Sequence, residues 1–240
     1  RQAIAHAIDR DALLERVLFG FGEVGSPGFL PPANPFHNPD VPDYARDIDR
    51  AKALLAEAGY DGTPIKLAYS TDWIMASPRV VEIIQDGLSA AGIPIEQVVM
   101  DQATIDTAGA QGDYEMMLVG YGGLGGDPDL LRRTFATASQ MSGFARARGY
   151  SNPDFDALAV SQIGLSDPAE RRVALDQMQA ILAEDLPVLP LYTTARVVVF
   201  NTDVFDNWTF TPGGWGGGIP MPYNKHQFIT GMETGLDIRG

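Results

Sequence analysis

The run Gly120-Tyr121-Gly122-Gly123-Leu124-Gly125 has the spacing GxGxxG and follows a segment that reads as a strand. Dinucleotide-binding folds use such a turn to set a pyrophosphate against a helix N-terminus. Here Asp127 and Asp129 follow, placing negative charge where phosphates require positive potential, and no strand-terminal acid stands at the spacing for a ribose. A ligand-facing turn is the better chemistry, because glycines let a backbone approach a solute and present bare N–H and C=O groups. Tyr121 would add a flat face. The acids Asp72, Asp101, Asp113 and Asp127 could supply two carboxylates for glycoside hydrolysis, yet nothing in their order fixes a separation, and acids that end strands commonly cap helices. No serine triad is recognisable either. His6, His37 and His226 never stand at the i, i+3 or i, i+4 spacing that puts two metal ligands on one helix face. His6 lies among apolar residues and reads as a core histidine. The absence of cysteine excludes disulfides, thiol nucleophiles and Cys-ligated metals. No metal site and no cofactor is expected.

The elements that must position these residues follow an α/β pattern. Ala3, Ile4, Ala7 and Ile8 recur at helical spacing, although that first helix lacks a start signal of its own, and Asp9 caps a second run with Leu13, Leu14, Val17 and Leu18. A proline-rich loop ends near Tyr44. Asp49 to Ala58 reads as a helix stopped by Gly59, Pro64 to Ser70 as a strand with Ile65, Leu67 and Tyr69 on one face, and Ser77-Pro78 as the start of a helix. That helix carries Val80, Val81, Ile84 and Leu88 on its buried stripe and ends at Gly92. Ile93 to Met100 and Tyr114 to Val119 complete three strands. Strand, helix, strand with short links predicts a parallel sheet, which puts functional loops at the carboxyl ends, at Thr71 to Ser77, Asp101 to Thr104 and Gly120 to Asp129. In the last loop Asp127 is expected to cap a short helix opened by Pro128. Helices over Asp154 to Ile163 and Asp167 to Glu184 follow, the second with a core stripe of Leu175, Met178, Ile181 and Leu182. Val188 to Leu191 and Arg196 to Phe200 are extended, and beyond Asn201 the sequence is rich in turns, with Trp208, Trp215 and Tyr223 among glycines.

At 240 residues, 45% of them hydrophobic, the chain can bury a substantial core. Acidic residues outnumber basic ones by 31 to 17, a formal charge of −14 that repels phosphate backbones and argues against nucleic acid as a partner. No apolar run approaches the roughly 20 residues that span a bilayer.

Three blocks carry a family resemblance in addition to the opening helices. They are Leu30-Pro31-Pro32 with Pro35 and Tyr44, then Asp49 to Tyr60, then Leu186-Pro187-Val188-Leu189-Pro190-Leu191-Tyr192 behind Glu184-Asp185. In this order they resemble the family 5 solute-binding proteins of bacterial ABC importers, which include dipeptide, oligopeptide and nickel receptors. The resemblance covers the later part of such a receptor, so the chain is expected to be a fragment of a longer product. It implies an α/β, periplasmic-binding-protein-like lobe with a mostly parallel sheet flanked by helices, spanning residues 1–192, and a hinge return and C-terminal tail, residues 193–240, belonging to the first lobe.

By the same resemblance, the expected ligand-binding residues are Thr71, Asp72, Trp73, Tyr121, Gly122, Gly123, Leu124, Tyr192, Thr193 and Thr194. Peptide-binding members hold the peptide amino terminus with an Asp three residues after the loop aromatic, and dipeptide receptors hold its carboxylate with an Arg after the lobe's first strand. The matching positions here are Leu124 and Thr71, so a simple dipeptide would lack both counter-charges, at a cost on the order of several kcal/mol. A less charged solute is expected, peptide-like or sugar-like, on aromatic platforms such as Trp73, Tyr121 and Tyr192. The implied partners are that solute and the ABC permease subunits of the inner membrane. The implied location is periplasmic or extracellular, membrane-associated through the permease or a lipid anchor. An alternative on the same fold is the ligand-sensing domain of a transcriptional regulator.

Overall fold

A computed structural model describes residues 1–72, 78–120, 127–139 and 147–194. The chain opens with two short helices, α1 (Gln2–Ala7) and α2 (Arg10–Arg16), broken at Ile8 and restarted by Asp9, whose carboxylate accepts from the amide of Ala12 at 2.8 Å. Helix α1 has no side-chain cap. Arg1 and Gln2 instead donate to the carbonyls of Asp185 and Glu184, each at 3.1 Å, so its start is anchored in three dimensions rather than by local sequence.

Strand β1 (Gly22–Val24), which the sequence reading did not anticipate, follows, and then a non-repetitive proline-rich segment leads to helix α3 (Ile48–Glu57). Asp47 caps α3 by accepting from the amide of Arg50, and Gly59 leaves it at φ +65°, where glycine carries no Cβ penalty. Strand β2 (Ile65–Ser70), helix α4 (Pro78–Ala91), strand β3 (Ile95–Met100), helix α5 (Gln102–Gln111) and strand β4 (Met116–Met117) form a parallel sheet in the order β3-β2-β4. Helix α5 corrects the expectation of a loop over Asp101 to Thr104. Asp101 is its N-cap, accepting from the amide of Thr104 at 2.8 Å. The third strand is also shorter than Tyr114 to Val119. Its ladder is Met116 and Met117 against Leu67 and Ala68, extended by Leu118 donating to the carbonyl of Ala68.

The stripe Val80, Val81, Ile84 and Leu88 of α4 is buried as predicted, together with Ile83, against Leu67 and Tyr69 of β2, Ala3 and Ala7 of α1, and Ile8 just after it. Burial of each such aliphatic side chain is worth about 1.5–3 kcal/mol. Ala68 and Ser70 on the opposite face of β2 are buried as well. That follows from topology: the crossovers from β2 to β3 and from β3 to β4 run in opposite directions, and right-handed connections then put α4 and α5 on opposite faces.

A second core joins Phe29 and Leu30 of the proline-rich segment to helices α6 (Leu130–Phe135), α7 (Pro153–Ser161) and α8 (Pro168–Asp185). Phe135 meets Phe29 edge to face at 4.7 Å. Leu175, Met178 and Leu182 form the buried stripe of α8, with Ile181 half-buried beside it. Leu186, Tyr44 and Ala5 form a small third cluster, and Leu189 packs against both it and the first core. Leu186 ends α8 in the left-handed region at φ 45°, a conformation that costs a bulky residue about 1–2 kcal/mol. Its burial there offsets that strain. The chain then reaches strand β5 (Tyr192–Thr194), antiparallel to β1.

Candidate functional site

The sheet order reverses at β2, so the crevice outside the carboxyl ends of β2 and β4 is the topological switch point of this lobe, the position where open α/β sheets bind ligands. Thr71 and Asp72 stand there, both exposed, immediately after β2. The Asp72 amide donates to the buried Ser70 hydroxyl at 3.1 Å, and its carboxylate accepts from the amide of Gln102 at 3.2 Å. Asp72 therefore ties the end of β2 to the first turn of α5. Gly120, after β4, is exposed. Trp73, Tyr121, Gly122, Gly123 and Leu124 lie outside the described residues, as does the rest of the GxGxxG turn.

Where the chain resumes, Asp127 is not the helix cap that was expected. The N-cap position of α6 is Asp129, and the Asp127 carboxylate accepts from the Asp129 amide at 3.0 Å and from Arg171 at 3.1 Å. Asp129 is chelated by Arg132 through two 2.7 Å bonds and accepts from the buried Gln162 at 2.9 Å. Hydrogen bonding to Arg132 holds the Asp129 carboxyl below the usual carboxylate range. Asp101 is lowered by the amide of Thr104. Asp72, Asp101 and Asp127 thus each hold a backbone amide, the first two at the start of α5 and the third in the turn before α6, which is structural rather than acid–base work.

Tyr192, Thr193 and Thr194 lie apart from this edge in chain position, on the β1–β5 ribbon, in register with Val24, Glu23 and Gly22. Thr194 is exposed and Thr193 half-buried, while Tyr192 packs against the first core, where burial pushes its phenol up. His6 and His37 are satisfied by the carbonyls of Ala45 and Leu30, each at 2.9 Å, and among the described residues no three His, Asp or Glu side chains converge as a metal site. A surface concavity of about 220 Å³ between α2 and α4, lined by Asp9, Arg16, Ile83, Asp86 and Gly87 among others, lies on helices rather than at the strand ends.

Sequence reasoning missed the buried polar residues that hold these parts in place. Arg10 shares an apolar stripe with Leu13 and Val17, and Gln179 one with Leu175 and Leu182. A polar residue at a core position of a helical stripe was the available signal. Gln179 is fully buried, accepts from the amide of Asn38 and donates to the carbonyl of Phe36, while Arg172 donates to the carbonyls of Pro35 and His37. Together they clamp the proline-rich segment onto α8.

A helix-flanked parallel sheet with a switch-point crevice, joined to a second core and leaving along an antiparallel ribbon, is a lobe of the periplasmic-binding-protein kind. The chain belongs to the bacterial extracellular solute-binding proteins, family 5, whose middle region matches residues 1–143. It is 31% identical over 200 residues to heme-binding protein A of Haemophilus influenzae, covering 80% of this chain and 35% of that protein. It is 34% identical over 188 residues to di/tripeptide-binding protein 4 of Pseudomonas aeruginosa, covering 76% and 35%. The structure of HbpA2 from Haemophilus parasuis matches with a TM-score of 0.76 at 26% identity over 90% of this chain and 43% of that one. The chain thus spans little more than a third of the length of these curated relatives.

Proposed function

We propose that residues 1–192 form one lobe of a two-lobed receptor, that 193–240 return to the other lobe, and that the receptor captures a peptide-like solute for an ABC importer. The observation that carries this reading is the family match over residues 1–143. The relatives reported above are binding proteins by name, and the sugar-ligand and regulator alternatives find no support in them. Solute docks against Thr71, Asp72, Trp73, Tyr121 to Leu124 and the ribbon residues Tyr192 to Thr194. The lobes close because the solute has a higher affinity for the closed state, and the membrane permease reads that state. No bond is made or broken, so the protein acts as a binder rather than an enzyme. The work is done outside the inner membrane, with the receptor held near it by the permease or a lipid anchor.

Leu124 and Thr71 supply no charge for the ends of a free dipeptide, so the preferred solute lacks two exposed terminal charges. Calorimetric titration of the full-length protein with dialanine, trialanine and N-acetyl-trialanine amide tests this. The blocked peptide is expected to bind about tenfold more tightly than dialanine, and the double variant Leu124→Asp, Thr71→Arg to reverse the order, since each charge-assisted hydrogen bond contributes about 1.5–3 kcal/mol. Tight binding of dialanine by the parent protein would overturn the assignment of these two positions. Binding of hemin with none of the peptides would sink the peptide-like reading.

A further inference from the structure

Arg10 carries a charge into the interior: its side chain is 4% exposed. Its guanidinium donates through Nη1 to the carbonyl of Gly25 at 2.7 Å, and through Nη2 to the carbonyl of Tyr44 at 3.1 Å and to Asp43 at 2.7 Å. The Asp43 side chain is 77% exposed, so that ion pair is solvated and weak, and the two buried carbonyls are the partners that matter. Gly25 in turn donates its amide to the carbonyl of Leu191 at 3.2 Å, directly beside the ladder that pairs Val24 with Tyr192 and Gly22 with Thr194. The two backbones are pressed together. A Cβ at Gly22 would lie 2.5 Å from the carbonyl oxygen of Thr193, and one at Gly25 would lie 2.5 Å from that of Pro190. Strand β1 therefore cannot shift without carrying residues 190–194 with it, and Arg10 holds the end of β1 through the Gly25 carbonyl.

We propose that Arg10 is the positioning residue of strand β5. Its planar fork gathers the carbonyls of Gly25 and Tyr44 and so sets the place from which Tyr192 to Thr194 meet the solute. This rests on the reading of Tyr192 to Thr194 as solute contacts. A lysine, a point charge on a flexible stem, cannot reproduce the fork. The β1–β5 ribbon is consequently tied to α2 through Arg10.

Native-state hydrogen exchange on the full-length protein decides the positioning role, because it separates local opening from global unfolding. In Arg10→Met, protection at Gly25 and along the β1–β5 ladder is expected to fall about tenfold further than protection in α4. Arg10→Lys should restore part of it, and Asp43→Ala should change it less than about twofold. An equal loss in the ribbon and α4 would overturn the proposal by making Arg10 a general stabiliser, and so would an Asp43→Ala variant that matches Arg10→Met. If Arg10→Met does not fold, Arg10→Lys is read by the same criterion against the parent. Titration of the same variants with N-acetyl-trialanine amide tests the reading beneath the proposal. A local loss of protection with unchanged affinity would leave Arg10 positioning β5 and remove Tyr192 to Thr194 from the solute site.

Discussion

At the scale of single residues, the interior of this protein is decided by which buried polar groups find partners. Gln179 and Arg10 are buried and satisfied by backbone groups from distant segments, so each replaces lost water by several directed bonds. Thr134 on α6 is the contrasting case. It is fully buried and its hydroxyl has no hydrogen-bond partner among the described residues. Thr134→Val keeps the shape and removes the desolvated hydroxyl, and is expected to stabilise the protein by about 1 kcal/mol. Urea unfolding measures this, and a loss of stability would mean that the hydroxyl is bonded after all. Truncation of Gln179 to Ala goes the other way, because it strands the Asn38 amide and the Phe36 carbonyl, groups that cost about 1–3 kcal/mol each when left unmade.

At the scale of elements, local propensity and tertiary contact make opposite demands on α4. Gly87 sits in the interior of this helix, where alanine would gain about 1 kcal/mol by propensity alone. Yet a Cβ there would lie 2.2 Å from the carbonyl oxygen of Ala7, at the end of α1. Gly87→Ala is therefore expected to destabilise by about 1–3 kcal/mol despite its better helix propensity. A raised midpoint in thermal unfolding would show that the α1–α4 junction yields. Helix α5 illustrates the reverse: the sequence reads as a loop at Asp101 to Thr104, because Gln102–Gln111 carries a weak apolar stripe of Ile105 and Ala108, too sparse to declare a helix by periodicity, and the fold makes Asp101 its cap. Strand β1 escaped detection for a related reason, since three residues with two glycines nearby have no measurable alternation.

At the scale of the whole molecule, the titrating groups frame a window of stability. The Asp129 carboxyl is depressed by Arg132, so its contribution is present above its unfolded pKa of about 4 and is lost as the pH falls through its lower folded value. The Tyr150 phenol is raised by desolvation and by its 2.7 Å bond to Asp185, so its contribution is complete below the unfolded pKa of about 10 and is lost as the pH rises above that value. Tyr44 and Tyr192, raised by burial, act in the same direction. Stability measured by denaturant unfolding should hold a plateau between these limits. Asp129→Asn should flatten the acid limb and Tyr150→Phe should reduce the slope of the alkaline limb. Unchanged limbs in these variants would assign the pH dependence to other groups.

The sequence by itself determined the α/β class, the parallel order of strand and helix, the cap at Asp9, the helix start at Asp167-Pro168, and the core stripes of α4 and α8, because each is written within one or two turns of chain. It also pointed to Thr71 and Asp72 at a strand's carboxyl end, since alternating elements fix which edge carries the loops. Only the tertiary structure decided that β2 is central, which makes that edge a switch point, and that β1 pairs with β5 across some 170 residues of chain. It alone revealed that Arg10, Gln162 and Gln179 are buried and bonded to distant segments rather than solvated. The physical reason is common to these cases. A buried polar group is tolerated only by partners that folding brings from elsewhere, and no local pattern records where those partners come from.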